Sequence, residues 1–248
     1  MDRLAKTLAS YGIWAVIFIT CPPAFLVAFL VWLVTVPFDR RLRVLHLYSC
    51  AWASFYTYVF PYWFVKVRNR ERLRNDTASV VVANHQSLLD ILVLFRLFTH
   101  FKWVSKIENF RVPAIGWNMA LNGYIKLRRG DKDSIADMMA ACERTLAEGN
   151  SIMMFPEGTR SPDGRLREFK HGAFTLAQQT RRPLLPILIH GTADALPKRG
   201  FVIRGHHAIT IRVLDEIPYE QFAQTSVEQL TNDVRAAMAA ALGQRSAV

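Results

Sequence analysis

Residues 79–98, SVVVANHQSLLDILVLFRLF, decide the fold of this chain. The first five are small or β-branched, as in a buried strand, whereas the last eight form an apolar helical run. The polar turn NHQSLLD joins the two. From about residue 66 onward the chain alternates in the same way between short apolar runs and polar helical segments. This alternation predicts an α/β domain in which helices flank a mixed β-sheet.

The other elements follow from periodicity and from the turn residues at their ends. In segments 134–147 and 226–242 apolar residues recur every three or four positions, which is typical of amphipathic helices. The second segment opens with a capping-box pattern, Ser226 to Gln229, and closes at Gly243. The predicted strands are 79–83, 122–127, 151–155, 184–190 and 208–214.

Composition limits the class of protein. The 248 residues allow one large domain or a domain with an appendage, and a hydrophobic content of 51% excludes a disordered chain. The three cysteines are far apart, which indicates neither a zinc site nor a disulfide framework and favours a reducing compartment. Lys and Arg number 31 against 20 Asp and Glu, a net charge of +11. This surplus indicates a phosphate-bearing partner: nucleic acid, an anionic membrane or a phosphorylated metabolite.

The N-terminal segment from Thr7 to Phe38 has no charged side chain over its 32 residues, whereas ~20 residues suffice to cross a bilayer. Pro22 and Pro23 divide it into two arms, each about 22 Å long as a helix, so that neither arm alone spans ~30 Å. Basic residues flank both ends, which favours the cytoplasmic side for both. We therefore expect a re-entrant helical hairpin. A single kinked span and a cleaved signal peptide are the alternatives.

The next uncharged run, Val44 to Val65, is rich in tryptophan and tyrosine, whose amphipathic rings prefer the headgroup level of a membrane. We expect it to form an interfacial helix, with a second span as the alternative. The predicted organisation is therefore a set of membrane-anchoring helices over 1–65, forming a membrane-embedded or interfacial helical hairpin, and an α/β domain over 66–248.

The motif NHQSLLD, residues 84–90, lies in a strand-to-helix turn, where catalytic residues are common. His85 is a candidate general base, and Asp90 is the candidate carboxylate that orients it and supports the imidazolium. Residues five apart point in different directions on one helix, so the two meet only if His85 precedes the helix. The capping-box pattern from Ser87 to Asp90 predicts a helix beginning at Ser87. Alternatively, Asp90 only caps this helix and His85 only donates to a backbone carbonyl.

The motif FPEGTRSPDG, residues 155–164, begins where another predicted strand ends. Pro156 and Gly158 predict a rigid turn. The side chains expected to project from it are those of Glu157, Thr159 and Arg160. A guanidinium suits bidentate binding of phosphate, and a solvated surface turn is the alternative. Downstream, Lys170 is predicted near a helix start, where amide donors also favour an anion.

The motif GYIKLRR, residues 123–129, is a predicted strand that ends in Arg128 and Arg129. Arginines at the end of a strand can reach the same sheet edge as the two preceding motifs. Taken alone, this pair is more typical of a solvated run of charge.

Together, NHQSLLD, GYIKLRR, FPEGTRS and LPI (185–187), in this order, resemble the four sequence blocks of the 1-acylglycerol-3-phosphate acyltransferase family. The resemblance covers about residues 80–190. It implies transfer of a fatty acyl group from acyl-CoA or acyl carrier protein to the sn-2 hydroxyl of a lysophospholipid, 1-acylglycerol 3-phosphate, giving phosphatidic acid for phospholipid biosynthesis. No metal or redox cofactor is expected.

The resemblance also implies roles for individual residues. His85 would be the general base and Asp90 its orienting partner. Leu185, Pro186 and Ile187 would be scaffold or a wall of the acyl pocket. The additional Arg128 leaves open which arginine meets phosphate. The residues expected to bind the acceptor are Arg128, Arg129, Glu157, Gly158, Thr159, Arg160 and Lys170.

Three other expectations complete the sequence analysis. The expected partners are an anionic membrane, the lysophospholipid and the acyl donor, but not nucleic acid. The expected location is the cytoplasmic face of a cell inner membrane, with the catalytic domain in the cytoplasm. The alternatives are another lyso-lipid acceptor, such as lysophosphatidylglycerol or a lyso-aminolipid, and a non-catalytic lipid-binding protein. Acyl chain length and oligomeric state leave no signal in the sequence.

Overall fold

The computed structural model describes residues 3–74, 76–198 and 201–244, which form a seven-stranded sheet flanked by helices. The strands are β1 (Trp63–Arg68), β2 (Val80–Ala83), β3 (Phe101–Lys106), β4 (Ile125–Leu127), β5 (Ser151–Met154), β6 (Leu184–His190) and β7 (His207–Val213). The α-helices are α1 (Arg3–Thr35), α2 (Arg43–Val59), α3 (Leu89–Leu94), α4 (Ile115–Leu121), α5 (Lys132–Ala147), α6 (Gly172–Thr180), α7 (Thr192–Ala195) and α8 (Val227–Ala241). Short 3-10 helices cover Arg70–Arg72, Phe95–Leu97, Ile107–Arg111 and Tyr219–Gln221.

The sheet is mixed, as predicted, with the strand order β1-β7-β6-β2-β5-β3-β4. Strands β6, β2, β5, β3 and β4 are parallel to one another. Strand β7 is antiparallel to β6, and β1 is parallel to β7. The carboxyl ends of the five parallel strands therefore meet along one side of the sheet, which we call the carboxyl edge.

The two faces of the sheet carry two separate cores, because side chains alternate along each strand. Val81, Ala83, Ile187 and Ile189 pack with apolar residues of α1, α2 and α3. Their neighbours in the same strands, such as Val82 and Leu188, pack with α5, α6 and α8. The LPI motif thus lies inside β6, with Leu185 and Ile187 buried on the α1–α3 face.

All five predicted strands are present, and two others are added. β4 is shorter than its predicted range because α4 extends to Leu121 and Gly123 then takes a positive φ of 65°. β1 and β3 were not predicted. Both predicted helices are confirmed as α5 and α8, and the Ser226 hydroxyl accepts from the Gln229 N–H at 3.1 Å.

The predicted break at Pro22 and Pro23 is wrong, because α1 continues through both prolines as one helix. The φ angle of proline is compatible with a helix, and α2 packs against α1 close to the two prolines. The Tyr48 hydroxyl donates to the Ala24 carbonyl at 2.8 Å, and the Thr20 and Tyr56 hydroxyls are 2.8 Å apart. The N-terminal helical hairpin is therefore formed by α1 and α2.

Helix α1 is long and apolar enough to cross a membrane, and it is the one such helix within the described residues. Much of its surface is exposed, with apolar side chains such as Phe18 and Ile19 about 70% accessible. Helix α2 instead shares the protein core. Its buried His46 bonds to the Tyr124 hydroxyl at 2.9 Å and to the Thr99 carbonyl at 3.0 Å.

The turn between the two N-terminal helices is also attached to the sheet. The buried ammonium of Lys102, in β3, donates to the Arg41 carbonyl at 3.0 Å and to the Asn122 carbonyl at 2.7 Å. These bonds satisfy a cation that burial would otherwise disfavour. They hold the α1–α2 hairpin against the α/β part of the chain.

Candidate functional site

The first motif leaves β2 through a fixed turn at the carboxyl edge. The buried Asn84 side chain donates to the Ile189 carbonyl at 2.9 Å and accepts from the Ile189 N–H at 2.7 Å. This two-way bond ties the end of β2 to the neighbouring β6. His85 therefore starts from a rigid backbone position.

His85 and Asp90 are in contact, as predicted. His85 Nδ1 lies 2.8 Å from Asp90 Oδ2. Helix α3 begins at Leu89, two residues later than predicted, and His85 precedes it. Asp90 Oδ2 also accepts from the N–H groups of Gln86 at 2.6 Å and Ser87 at 2.8 Å. Asp90 thus caps the turn and orients His85 at the same time.

These bonds determine which nitrogen of His85 is available for proton transfer. A carboxylate accepts, so Nδ1 carries the hydrogen and Nε2 keeps its lone pair. The imidazole is 12% exposed and stacks on the Phe155 ring, with centroids 4.0 Å apart and an interplanar angle of 12°. The Trp103 ring supports Phe155 from 5.5 Å. Asp90 and Phe155 therefore fix the ring of His85, and Nε2 is the ring nitrogen that can accept a proton.

The loop after β5 is attached to the backbone of this same histidine. Glu157 Oε1 accepts from the His85 N–H at 2.6 Å, and the Ser161 N–H donates to the His85 carbonyl at 2.7 Å. Glu157 Oε2 accepts from the Arg167 N–H at 3.1 Å. The Glu157 side chain is buried and turned inward. Burial raises its pKa to about 7, although the hydrogen bonds from His85 and Arg167 oppose the rise.

The second half of the FPEGTR loop is less buried than Glu157. Thr159 and Arg160 are half-buried. Gly158 has a positive φ of 67°, and a Cβ there would lie 2.9 Å from Lys170 Cε. The Lys170 side chain therefore lies across Gly158, which brings its ammonium to the loop that carries Arg160. The Lys170 N–H donates to the Pro156 carbonyl at 2.8 Å and fixes this approach.

Arg128 and Arg129 follow β4, two strands from β5, at the carboxyl edge. Both are exposed. Arg128 Nη1 lies 3.2 Å from Asp131 Oδ2 at the start of α5. No ion pair is found for Arg129 in the described parts of the chain, so its guanidinium is the more available of the two for a phosphate.

Two polar residues that the sequence analysis missed complete the surroundings of Asp90. The buried Thr192 hydroxyl donates to Asp90 Oδ1 at 2.5 Å. Gln86 Nε2 donates to the Gly164 carbonyl at 3.0 Å, which ties the first motif to the end of the third. The sequence offered one indication of a role for Thr192, which is its position just after the predicted strand 184–190. Its contact depends on β6 lying beside β2, which no local pattern reports.

Among the described residues, no group of three or more His, Cys, Asp or Glu side chains is arranged to hold a metal ion. The candidate site consists of a histidine with a carboxylate behind it and cations along the same edge. This combination can accept a proton from an alcohol while holding a phosphate nearby.

Comparison with known proteins identifies the family. The sequence profile of the Acyltransferase family matches residues 64–190. A chloroplastic 1-acyl-sn-glycerol-3-phosphate acyltransferase of Brassica napus is 37% identical over 203 residues, covering 81% of this chain and 58% of the relative. The yeast Saccharomyces cerevisiae protein of the same activity is 34% identical over 176 residues, covering 69% of this chain and 57% of the relative. This chain thus spans little more than half the length of these relatives.

The fold has also been seen in a solved structure. The crystal structure of the 1-acyl-sn-glycerophosphate (LPA) acyltransferase PlsC from Thermotoga maritima superposes with a TM-score of 0.78 at 24% identity, covering 99% of this chain and 98% of that one. The profile match includes the His85–Asp90 pair, the arginine-terminated β4 and the loop after β5. By the profile match and these identities, the chain belongs to the acyltransferase family.

Proposed function

We propose that this protein is a 1-acylglycerol-3-phosphate O-acyltransferase. It would transfer a fatty acyl group from the thioester of acyl-CoA or acyl carrier protein to the sn-2 hydroxyl of 1-acylglycerol 3-phosphate, giving phosphatidic acid. The observation that carries the proposal is the His85–Asp90 pair, whose histidine backbone is hydrogen-bonded on both sides to the loop that presents Arg160.

The geometry supports a direct transfer step. His85 Nε2 takes the proton of the sn-2 hydroxyl as its oxygen attacks the thioester carbonyl carbon. The Asp90 carboxylate stabilises the imidazolium that results. When the C–O bond is complete, the C–S bond breaks and the thiolate takes the proton from Nε2, leaving a free thiol and the neutral base.

The cations of the carboxyl edge support the choice of acceptor. Arg160 and Lys170 lie in the connection between β5 and α6, Arg129 follows β4, and none of the three has an ion pair among the described residues. A phosphomonoester presents three oxygens that arginine can bind in bidentate fashion. We propose these three side chains as its ligands, with Glu157 and Gly158 shaping the loop that positions Arg160 and Thr159, and with Arg128 as an auxiliary cation.

The exposed apolar surface of α1 supports attachment to an anionic membrane, which a net charge of +11 favours. We propose the cytoplasmic face of a cell inner membrane, with the catalytic part of the chain in the cytoplasm. Lipid acceptor and product would then reach the site without leaving the bilayer.

Thiol release from palmitoyl-CoA by the detergent-purified chain tests the proposal, with lysophosphatidic acid, lysophosphatidylglycerol and glycerol 3-phosphate as parallel acceptors. We expect turnover with lysophosphatidic acid that His85→Ala abolishes and that His206→Ala, which changes an exposed histidine just before β7, leaves intact. Preference for another lyso-lipid would change the acceptor but not the chemistry. If no acceptor reacts, even with an acyl carrier protein donor, the chain is a lipid-binding protein.

A further inference from the structure

A cavity of about 290 Å³ lies against strands β6, β7 and β1, beside the end of α8. It opens on the sheet face that packs with α5, α6 and α8, because its wall includes Leu188 of that core. The candidate catalytic residues instead follow β2, β5 and β4. We call this space the α8 cavity. Its lining residues are Arg68, Leu188, His190, Thr210, Arg212 and Leu242.

The wall of the α8 cavity concentrates positive charge. Arg68 and Arg212 occupy the same register position on the neighbouring strands β1 and β7, so their side chains lie on the same face of the sheet. Like charges placed opposite each other destabilise a strand pair. The described residues that line the cavity include no aspartate or glutamate to offset them. An anion in the cavity would remove this repulsion.

Hydrogen-bonding side chains at the wall add to this charge. Arg212 Nη2 donates to the Ala241 carbonyl at 2.9 Å, which holds the guanidinium in place beside the cavity. Arg68 is exposed and forms no ion pair within the described chain. His190 and Thr210 are register partners on β6 and β7 and add ring N–H and hydroxyl donors. Several donors therefore face one space of limited size.

We propose that the α8 cavity binds a small, water-soluble, phosphate-bearing anion. Two guanidinium groups provide the planar pairs of donors that phosphate oxygens accept. The volume of about 290 Å³ lies just below the range of about 300–1,000 Å³ that is usual for small-molecule pockets, and it suits a phosphate with a short substituent. A soluble ion is favoured over a lipid headgroup because the cavity lies on the face opposite α1 and α2.

Binding of inorganic phosphate to the full chain in detergent, measured by calorimetry at constant ionic strength, tests the proposal. The Arg160→Ala background weakens the acceptor site by removing one of the three phosphate ligands proposed there. We expect phosphate still to bind in this background, and to bind at least about tenfold more weakly when Arg68→Gln is added. Arg144→Gln, an exposed arginine on α5, is the matched control and should leave the affinity unchanged.

Two outcomes would overturn the proposal: loss of all phosphate binding in Arg160→Ala alone, and unchanged affinity after Arg68→Gln. Arg68→Lys, which keeps the charge but not the planar pair of donors, should weaken phosphate binding less than Arg68→Gln. A second arm measures flotation with vesicles that contain phosphatidic acid. Arg68→Gln should float like the unchanged chain, and a flotation defect without a loss of phosphate affinity would assign the cavity to lipid instead. Acyl transfer by Arg68→Gln should be normal, which separates this proposal from the acyltransferase activity.

Discussion

The buried carboxyl of Glu157 makes the stability of the fold depend on pH. Burial raises its pKa from the ordinary value of 4.5 to about 7. Because the folded pKa exceeds the unfolded one, the folded chain binds more protons within this window, and the free energy of unfolding falls as pH rises through it. At about 1.4 kcal/mol for each pH unit, the loss amounts to about 3 kcal/mol once the carboxyl is fully ionised.

Glu157→Gln removes this titration and keeps the size of the side chain. The amide oxygen can still accept from the His85 N–H, but the amide nitrogen then faces the Arg167 N–H. Because two donors cannot hydrogen-bond to each other, this contact lowers the stability of the variant at every pH. The informative quantity is therefore the unfolding free energy of the variant minus that of the unchanged chain. We expect this difference to rise by about 3 kcal/mol from pH 4.5 to pH 7, in favour of the variant.

Urea unfolding in detergent at a series of pH values measures this difference, and contributions from other titrating groups cancel in it. Glu168→Gln, which changes an exposed glutamate near the same loop, is the matched control. A difference that stays constant within about 1 kcal/mol across the window would refute the reasoning.

The remaining predictions concern acyl transfer. Asp90→Asn keeps an oxygen for the neighbouring N–H groups but removes the charge that stabilises the imidazolium, so turnover should fall about 10²- to 10⁴-fold. The control variant Asp131→Asn, at the N-cap of α5, should turn over normally. If Asp90→Asn is as active as the unchanged chain, Asp90 does not stabilise the imidazolium. Thr192→Val leaves Asp90 Oδ1 without its hydroxyl donor, so kcat should fall about tenfold with the acceptor KM unchanged. Thr192→Ser should restore kcat, and if it does not, the loss of the hydroxyl is not the cause of the fall. Arg160→Ala should raise the acceptor KM about 10- to 150-fold, from 1.5–3 kcal/mol for a charged hydrogen bond; an unchanged KM would separate Arg160 from the acceptor.

Much of the fold could be predicted because its signals are local. β2, β5 and β6 are almost entirely apolar and are followed by polar turns, and α5 and α8 are amphipathic. β3 escaped prediction because its buried Lys102 interrupts the apolar pattern, and the carbonyls that satisfy this lysine come from Arg41 and Asn122. The packing of α1 on α2 likewise joins residues that are distant in sequence.

The contacts of the site likewise include some that the sequence could predict and some that it could not. The His85–Asp90 contact could be predicted because a five-residue spacing across a helix start determines it. The inward direction of Glu157 and the hydroxyl of Thr192 could not, since each depends on strands that are adjacent in the sheet but distant in sequence. In both cases the missing information was the strand order.

The attachment of α2 to the sheet has a practical consequence for protein production. A fragment that starts at residue 66 would lack α2 and half of β1, and the Lys102 ammonium would lose the Arg41 carbonyl. The sheet face carrying Val81 and Ile187 would lose the cover of α1 and α2 and keep only that of α3. Trimming the hydrophobic N-terminus to obtain a detergent-free enzyme should therefore yield inclusion bodies. Crystallisation trials and assays are better begun with the whole chain in lipid nanodiscs.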